Sequence, residues 1–173
     1  KLHIQATTDQ LTGIFNRRVV FDALDEAMEK ANESQDREFT TIMFDIDFFK
    51  QVNDTYGHAG GDAVLISFAK LLESEIASPN IVGRIGGEEF LAILYLNQDQ
   101  AAEFCKKLII KINDNTVNFD GIDIKISSSG GVAFSSETNT SADLTNKADE
   151  RLYEAKKSGR NRFKLIDSEL VGD

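Results

Sequence analysis

The 173-residue sequence has one cysteine, one proline, two histidines and no tryptophan, and it is short of positive charge. A lone Cys105 excludes an intrachain disulfide and fits a reducing compartment. Nineteen basic against 29 acidic residues leave a formal charge of −10. That balance argues against a nucleic-acid backbone or an anionic membrane surface as the main partner, although it leaves room for a local basic patch that binds a small phosphate ligand. No apolar run approaches the roughly 18 residues needed to cross a bilayer, and no signal-peptide pattern, repeat or low-complexity tract is visible. What is present is ordinary for a globular chain. Hydrophobic residues make up 41%, and the length suits one domain with a full-sized core. Because the chain opens at Lys1 rather than Met, a longer parent protein is expected, with residues 1–8 as the end of a linker and 167–173 as a C-terminal tail.

Periodicity sets out the elements between. Asp9 to Asn16 reads as a compact turn ending in the helix cap Asn16, followed by a helix through Val20, Leu24, Ala27 and Met28. Phe39 to Ile46 is a buried strand, with Phe39, Thr41, Met43 and Asp45 on one side and Ile42, Phe44 and Ile46 on the other. Asp62 to Ile76 is a helix, Ile81–Ile85 and Phe90–Tyr95 form a hairpin, and Gln100 to Ile112 is a third helix with Cys105 on its core face. Two further strands meet at Asp120-Gly121, and Gly130–Phe134 extends the second or forms another. A last helix from Thr140 or Ser141 ends in Lys156-Lys157-Ser158-Gly159, and Phe163–Ile166 is a closing edge strand. Together these predict an α+β fold, a mixed sheet with helices packed on it.

Two acidic clusters stand out. Gly86-Gly87-Glu88-Glu89-Phe90 places adjacent carboxylates at a hairpin tip, a costly arrangement unless something positive compensates. Taken alone it reads more often as a solvated turn. Asp45, closing a buried strand, needs a partner of its own, because an unpaired charge there is expensive. The run from Asp45 to Asp62 fails as an EF-hand, with Phe49, Lys50 and Tyr56 where that loop needs a ligand, glycine and glutamate. Neither a P-loop nor a G-x-G-x-x-G fingerprint occurs. A hard-cation site built from Asp45 and Glu88 fits better, with Lys50, Lys156 and Arg160 offering positive charge to substrate phosphates. Asp47 and Asp54 read equally well as a solvated or capping pair, and Asp9 and Arg17 as a structural bracket.

Phe44-Asp-Ile-Asp-Phe-Phe-Lys-Gln-Val-Asn-Asp-Thr-Tyr-Gly-His-Ala-Gly-Gly-Asp62 together with Gly86-Gly-Glu-Glu-Phe90 resembles the GGDEF family of diguanylate cyclases, in its GGEEF form. Asp9-Gln-Leu-Thr-Gly-Ile-Phe-Asn-Arg-Arg18 is similar to that family's opening motif, and Ala148 to Arg162 to its closing one. Four motifs in order span about residues 6 to 166, so 9–166 is expected to be the catalytic domain.

The resemblance implies a ferredoxin-like sheet, as in nucleotide cyclases and polymerase palms, with an added β-hairpin carrying GGEEF. It implies condensation of two GTP into cyclic di-GMP with release of two pyrophosphates, by a transient head-to-head homodimer. Carried over residue by residue, Asp45, the Ile46 carbonyl and Glu88 would hold Mg²⁺, or Mn²⁺ in its place. Glu88 would also assist deprotonation of the 3′-hydroxyl, with Glu89 as a further catalytic and metal-ligand candidate. Asn53 and Asp62 would read guanine, with His58 in the same pocket. Phe48 and Phe49 would offer backbone N–H groups, and Lys50, Lys156 and Arg160 charge, to the triphosphate. The family's inhibitory Arg-x-x-Asp is missing, since Ala77-Ser78-Pro79-Asn80 occupies its window. Neither nucleic acid nor membrane is an expected partner of this domain, which would be cytoplasmic even if its parent is anchored in a membrane. A catalytically silent GTP-binding module and a dimerisation domain remain the alternatives.

Overall fold

A computed structural model describes residues 6–173; residues 1–5 of the expected linker lie outside the described part. Four helices and eight strands follow in the order α1 (Arg17–Glu33), β1 (Thr40–Ile46), α2 (Phe49–Glu75), β2 (Ile81–Arg84), β3 (Glu89–Leu94), α3 (Gln98–Asp114), β4 (Val117–Phe119), β5 (Ile122–Ile124), β6 (Ser128–Phe134), α4 (Ser141–Ser158), β7 (Arg162–Lys164) and β8 (Glu169–Val171). Six strands form one sheet in the order β2-β3-β1-β6-β7-β8, and β4 and β5 make a separate hairpin.

α1, α3 and α4 start where short polar side chains satisfy their first N–H groups, whereas α2 starts after Phe48 with no side-chain cap. Asn16 accepts from the Val19 N–H at 3.1 Å, and Thr140 from the Asp143 N–H at 3.1 Å. Asn97 and Gln100 cap α3 reciprocally, at 2.9 and 3.0 Å. Gly159 ends α4 at φ 139°, as the basic-then-glycine signal predicts.

β1 lies in the middle of the sheet, antiparallel to both β3 and β6, and is buried along its whole length. Its alternation divides the core in two. Ile42, Phe44 and Ile46 pack with Phe68, Leu72, Cys105 and Ile112 beneath α2 and α3. Phe39 and Met43 pack with Leu24 and Leu152 beneath α1 and α4. Cys105 is fully buried, and burial pushes its thiol up, so it is a small unreactive hydrophobe. On the other face Gly131 of β6 lies directly under α4. A Cβ there would overlap the Ala148 carbonyl, so the missing side chain sets how closely α4 sits on the sheet.

Several sequence expectations need correction. α2 begins at Phe49 rather than Asp62; its first half has only the short stripe Phe49, Val52 and Tyr56 among polar residues before the non-helical Gly57 interrupts the period. A kink at Gly57, with φ 75° and ψ 174°, divides that helix. Of the two readings of Gly130–Phe134, the separate strand is the one found: these residues belong to β6, beside β1. Phe163–Ile166 does not close the sheet, since β7 spans Arg162–Lys164 and pairs in parallel with β6. The edge beyond it is β8, formed by residues 169–171 of the expected tail.

Candidate functional site

Alternation along β1 sends Asp45 to the same face as Met43, the face covered by α4. Its side chain, only 7% exposed, meets the ammonium of Lys156 from the last turn of that helix. Burial pushes the Asp45 carboxyl up, Lys156 pulls it down by hydrogen bond and charge, and repulsion from Glu88 and Asp47 adds to the rise. The net result is a carboxyl held above its ordinary range. Glu89 stands directly opposite Asp45 in the β1–β3 register, and the Ile46 N–H donates to the Glu88 carbonyl at 3.2 Å. Asp45, Ile46, Glu88 and Glu89 are therefore neighbours across one strand pair.

The Gly-Gly turn between β2 and β3 is held from below by Arg84. Its Nε donates to the Gly86 and Gly87 carbonyls at 3.2 and 3.0 Å, and Nη2 to Gly87 at 2.9 Å. Nη1 reaches both Asp9 carboxylate oxygens at 3.2 Å. Burial raises the Asp9 carboxyl, but hydrogen bonds from Thr12 and Arg84 outweigh it and hold the group below its usual range. Arg17 donates to the Ile85 carbonyl at 2.9 Å. The turn near the chain start thus works as the bracket its composition suggested, and its object is the hairpin tip. Arg84 was not singled out from sequence; an arginine two residues before a Gly-Gly pair was the available signal.

A second corner adjoins this one, where β1 passes into α2 and α4 into β7. Asp47 is neither solvated nor a helix cap. It is 4% exposed and accepts from Ser127 and Ser129 hydroxyls, each at 2.6 Å, and from the Asn161 N–H at 2.9 Å. Three polar donors stabilise this buried carboxylate, which pins the start of β6 and the end of α4 to β1. The three consecutive serines 127–129 were the missed sequence signal. Phe48 follows in left-handed conformation, φ 55°, with its ring exposed and the Arg160 guanidinium 4.6 Å from the ring centroid.

The kink at Gly57 folds the second half of α2 back so that Gly61 lies against Asn53. A Cβ on Gly61 would overlap Asn53 Oδ1. Asn53 is half-buried here, while Asp62, the next residue, and His58, just past the kink, are exposed. Phe49 is half-buried at the start of α2 and its ring also faces Gly61. Lys50 is not drawn into the acidic centre: its side chain is 91% exposed and lies 3.9 Å from Asp54. A cavity of about 1020 Å³ opens on the other side of α2, between Thr55, Ile110, Lys125 and Val171. Asp47, Phe48 and Asn161 line one part of it, but none of Asp45, Asn53, Asp62, Glu88, Lys156 or Arg160 does, so it is not where the candidate chemistry converges.

The donor set at the strand ends suits a hard divalent cation. Asp45 is a buried carboxylate already balanced by one positive charge, and Glu88 is close enough to disturb its proton affinity. Among the described residues no cluster of three or more His, Cys, Asp or Glu side chains comes together. Asp45 and Glu88 fit an ion such as Mg²⁺, which takes one or two carboxylates and completes its shell with waters and substrate phosphates.

The profile of the GGDEF family, described as "Diguanylate cyclase, GGDEF domain", matches residues 6–162. Diguanylate cyclase DgcS of Shewanella oneidensis is 36% identical over 170 residues, which cover 98% of this chain and 56% of that protein. Diguanylate cyclase A of Treponema denticola is also 36% identical, over 95% of this chain and 45% of its own length. The chain thus spans about half the length of these curated relatives. Among solved structures, the GGDEF domain of DgcB from Caulobacter crescentus, in complex with c-di-GMP, has a TM-score of 0.88 at 30% identity. It covers 97% of this chain and 100% of that one. Diguanylate cyclase SiaD from Pseudomonas aeruginosa, in complex with its activator SiaC, has a TM-score of 0.87 at 34% identity, over 93% of this chain and 62% of that one. On these matches, and with the Gly-Gly-Glu-Glu turn set beside Asp45, this chain belongs to the GGDEF family of diguanylate cyclase domains.

Proposed function

We propose that this domain, in residues 9–166, condenses two GTP into cyclic di-GMP and two pyrophosphates, with Mg²⁺, or Mn²⁺ in its place. The observation that carries the reading is the juxtaposition of Asp45, Lys156 and the Gly-Gly-Glu-Glu turn at one end of the sheet. In each half-reaction a 3′-hydroxyl oxygen bonds to an α-phosphorus, and the bond from that phosphorus to the pyrophosphate oxygen breaks. When bound, the divalent ion supplies charge stabilisation for the attacking and leaving oxygens. Asp45, the Ile46 carbonyl, Glu88 and Glu89 are the groups that would hold it.

The chain's own residues bind, orient and move protons. Glu88 takes up the 3′-hydroxyl proton, and Glu89 shares the charge beside it. Asn53 and Asp62 read guanine, since a carboxylate accepts from both N1–H and the exocyclic amine, whereas adenine offers a lone pair at N1. His58 flanks that pocket. The Phe48 and Phe49 N–H groups, at an uncapped helix start, face the phosphates. Lys156 and Arg160 supply positive charge there, whereas Lys50, 91% exposed and beside Asp54, would have to swing inward to add its own. Positioning and charge stabilisation carry most of such a reaction.

One site holds one GTP, and the product has two-fold symmetry. Two copies must therefore face each other, each offering its 3′-hydroxyl to the other's α-phosphate. The exposure of His58 and Asp62 supports a site that a second copy covers. No helix among the described residues is long and apolar enough to cross a membrane.

Incubation with GTP and MgCl₂, followed by product analysis, tests this reading. Cyclic di-GMP and pyrophosphate are expected from the parent chain. Folded Asp45→Ala and Glu88→Ala proteins should lose activity by on the order of a thousandfold or more, the effect of several kcal/mol of lost charge stabilisation. Near-normal turnover by a well-folded Glu88→Ala protein would overturn the assignment. GTP binding without turnover by the parent would favour a silent binding module.

A further inference from the structure

Three of the four non-glycine residues with positive φ among the described residues lie at one corner: Phe48 at 55°, Arg160 at 62° and Asn161 at 49°. The fourth, Asp120, sits in the β4–β5 turn. Left-handed backbone is unfavourable for residues with a β-carbon, and such positions persist where their surroundings over-determine them. Here the surroundings are visible. Asp47 accepts from the Asn161 N–H at 2.9 Å, the Arg160 N–H donates to the Ala155 carbonyl at 3.0 Å, and the Asn161 and Asn113 amides pair at 2.8 and 3.1 Å.

The outcome of this backbone arrangement is one side-chain contact. Phe48, with 53% of its surface exposed, lies with its ring beneath the Arg160 guanidinium, 4.6 Å from centroid to Cζ. A ring that exposed contributes little to the core. An arginine at a helix end is otherwise free to sample many rotamers, and its planar guanidinium stacks well on an aromatic face. We infer that the Phe48 ring is a positioning platform for Arg160, holding the guanidinium where the triphosphate arrives. This rests on the cyclase reading above, but it assigns the ring a role separate from that of the Phe48 backbone N–H. Arg160 thus meets the phosphates already oriented, and less of the binding free energy goes into ordering it.

The test uses the 173-residue chain, Mg²⁺ and a GTP analogue with an α,β-methylene bridge, which cannot release pyrophosphate. Phe48→Leu keeps an apolar side chain without the π face; Phe48→Trp keeps the face. Phe48→Leu should weaken analogue binding about three- to fivefold, the range for an exposed cation–π contact. With GTP it should raise KM by a similar factor and leave kcat within about twofold, and Phe48→Trp should restore parent values. In an Arg160→Ala background Phe48→Leu should have no further effect, because the ring acts only through that guanidinium. Parent-like binding by Phe48→Leu, or additive losses in the double variant, would overturn the inference while leaving the cyclase reading intact. So would a Phe48→Leu defect that disappears at high protein concentration, which would reassign the ring to contact with a second copy. A parent chain that neither binds the analogue nor turns over GTP would instead overturn the cyclase reading, and this inference with it.

Discussion

Lys156, in the last turn of α4, places its ammonium against the carboxylate of Asp45, 111 residues earlier in the chain. The two side chains are 33% and 7% exposed, so this pair is largely shielded from solvent. Asp45 is also the carboxylate expected to hold a divalent ion, and the lysine and that ion compete for the same oxygens. Lys156→Met should therefore raise the affinity of the nucleotide-free domain for Mn²⁺ by roughly three- to tenfold or more, three- to tenfold being the scale of a nearby like charge in a water-like dielectric. Without metal the same variant should melt earlier, because Asp45 is left beside Glu88 and Asp47 with no counter-charge, and added Mn²⁺ should recover the loss. Mn²⁺ titration followed by electron paramagnetic resonance reads the first effect and thermal melts the second. An unchanged Mn²⁺ affinity would remove Asp45 from the ligand set.

Gly61 separates the fold from the reading of the base. The backbone there is helical, so Gly61→Ala favours the helix by up to about 1 kcal/mol, while the new methyl displaces the Asn53 amide it would overlap. The expected result is a melting temperature close to that of the parent with kcat/KM for GTP reduced about tenfold, the scale of one lost polar contact. Activity with ATP should stay as low as before, so discrimination narrows. A variant with unchanged GTP kinetics would show that Asn53 does not read guanine.

Acid stability should depend on a pair far from the site. Glu137 accepts from Arg151 at 2.6 and 2.5 Å and from the Phe134 N–H at 2.9 Å. Burial pushes its carboxyl up, but those hydrogen bonds outweigh burial and hold it below its ordinary value of 4.5. A carboxyl lowered on folding stabilises the folded state while ionised. That contribution is complete above the ordinary value and is lost as pH falls through the lower folded-state value. Glu137→Gln should cost roughly 3 kcal/mol near neutral pH, the low end for breaking a buried pair. The gap to the parent should close as pH drops below 4.5. Urea melts across that range measure it, and a gap that widens in acid would contradict the assignment.

The isolated domain should be mostly monomeric, with specific activity rising with protein concentration. A charge of −10 on each copy opposes pairing, while substrate and metal bridge two copies only during turnover. Activity assays over a hundredfold dilution, beside sedimentation runs, report on this. Constant specific activity in a preparation that stays monomeric with GTP and Mg²⁺ would sink the two-copy mechanism.

Much of this was legible in the sequence because the cues were local. Asn16, the Asn97–Gln100 pair and Gly159 mark helix ends with side chains within a few residues of the groups they satisfy. The alternation of β1 gave the two faces correctly for Ile42, Met43 and Phe44. What escaped was long-range or masked. The first half of α2 has only a short apolar stripe, Phe49, Val52 and Tyr56, packed on the core; exposed Gln51, Asp54 and Thr55 lie between, and the kink at Gly57 ends it. Asp47 looked like a surface acid because its donors Ser127, Ser129 and Asn161 lie at least 80 positions away. β8 is three residues long and exists only as an addition to β7.

The parity of β1 has a consequence for how such a domain tolerates change. Its apolar residues act as a ruler for its chemistry, because the pleat that sends Phe44 under α2 also decides that Asp45 emerges toward α4. Deleting one residue between Thr40 and Phe44 would leave composition and hydrophobicity almost intact. It would also shift each later side chain to the opposite side of the sheet or force the strand to slip. Substitutions along this strand are thus graded by volume, whereas insertions and deletions are all-or-none: the carboxylate either meets the ammonium of α4 or is driven among the rings of Phe68 and Phe90.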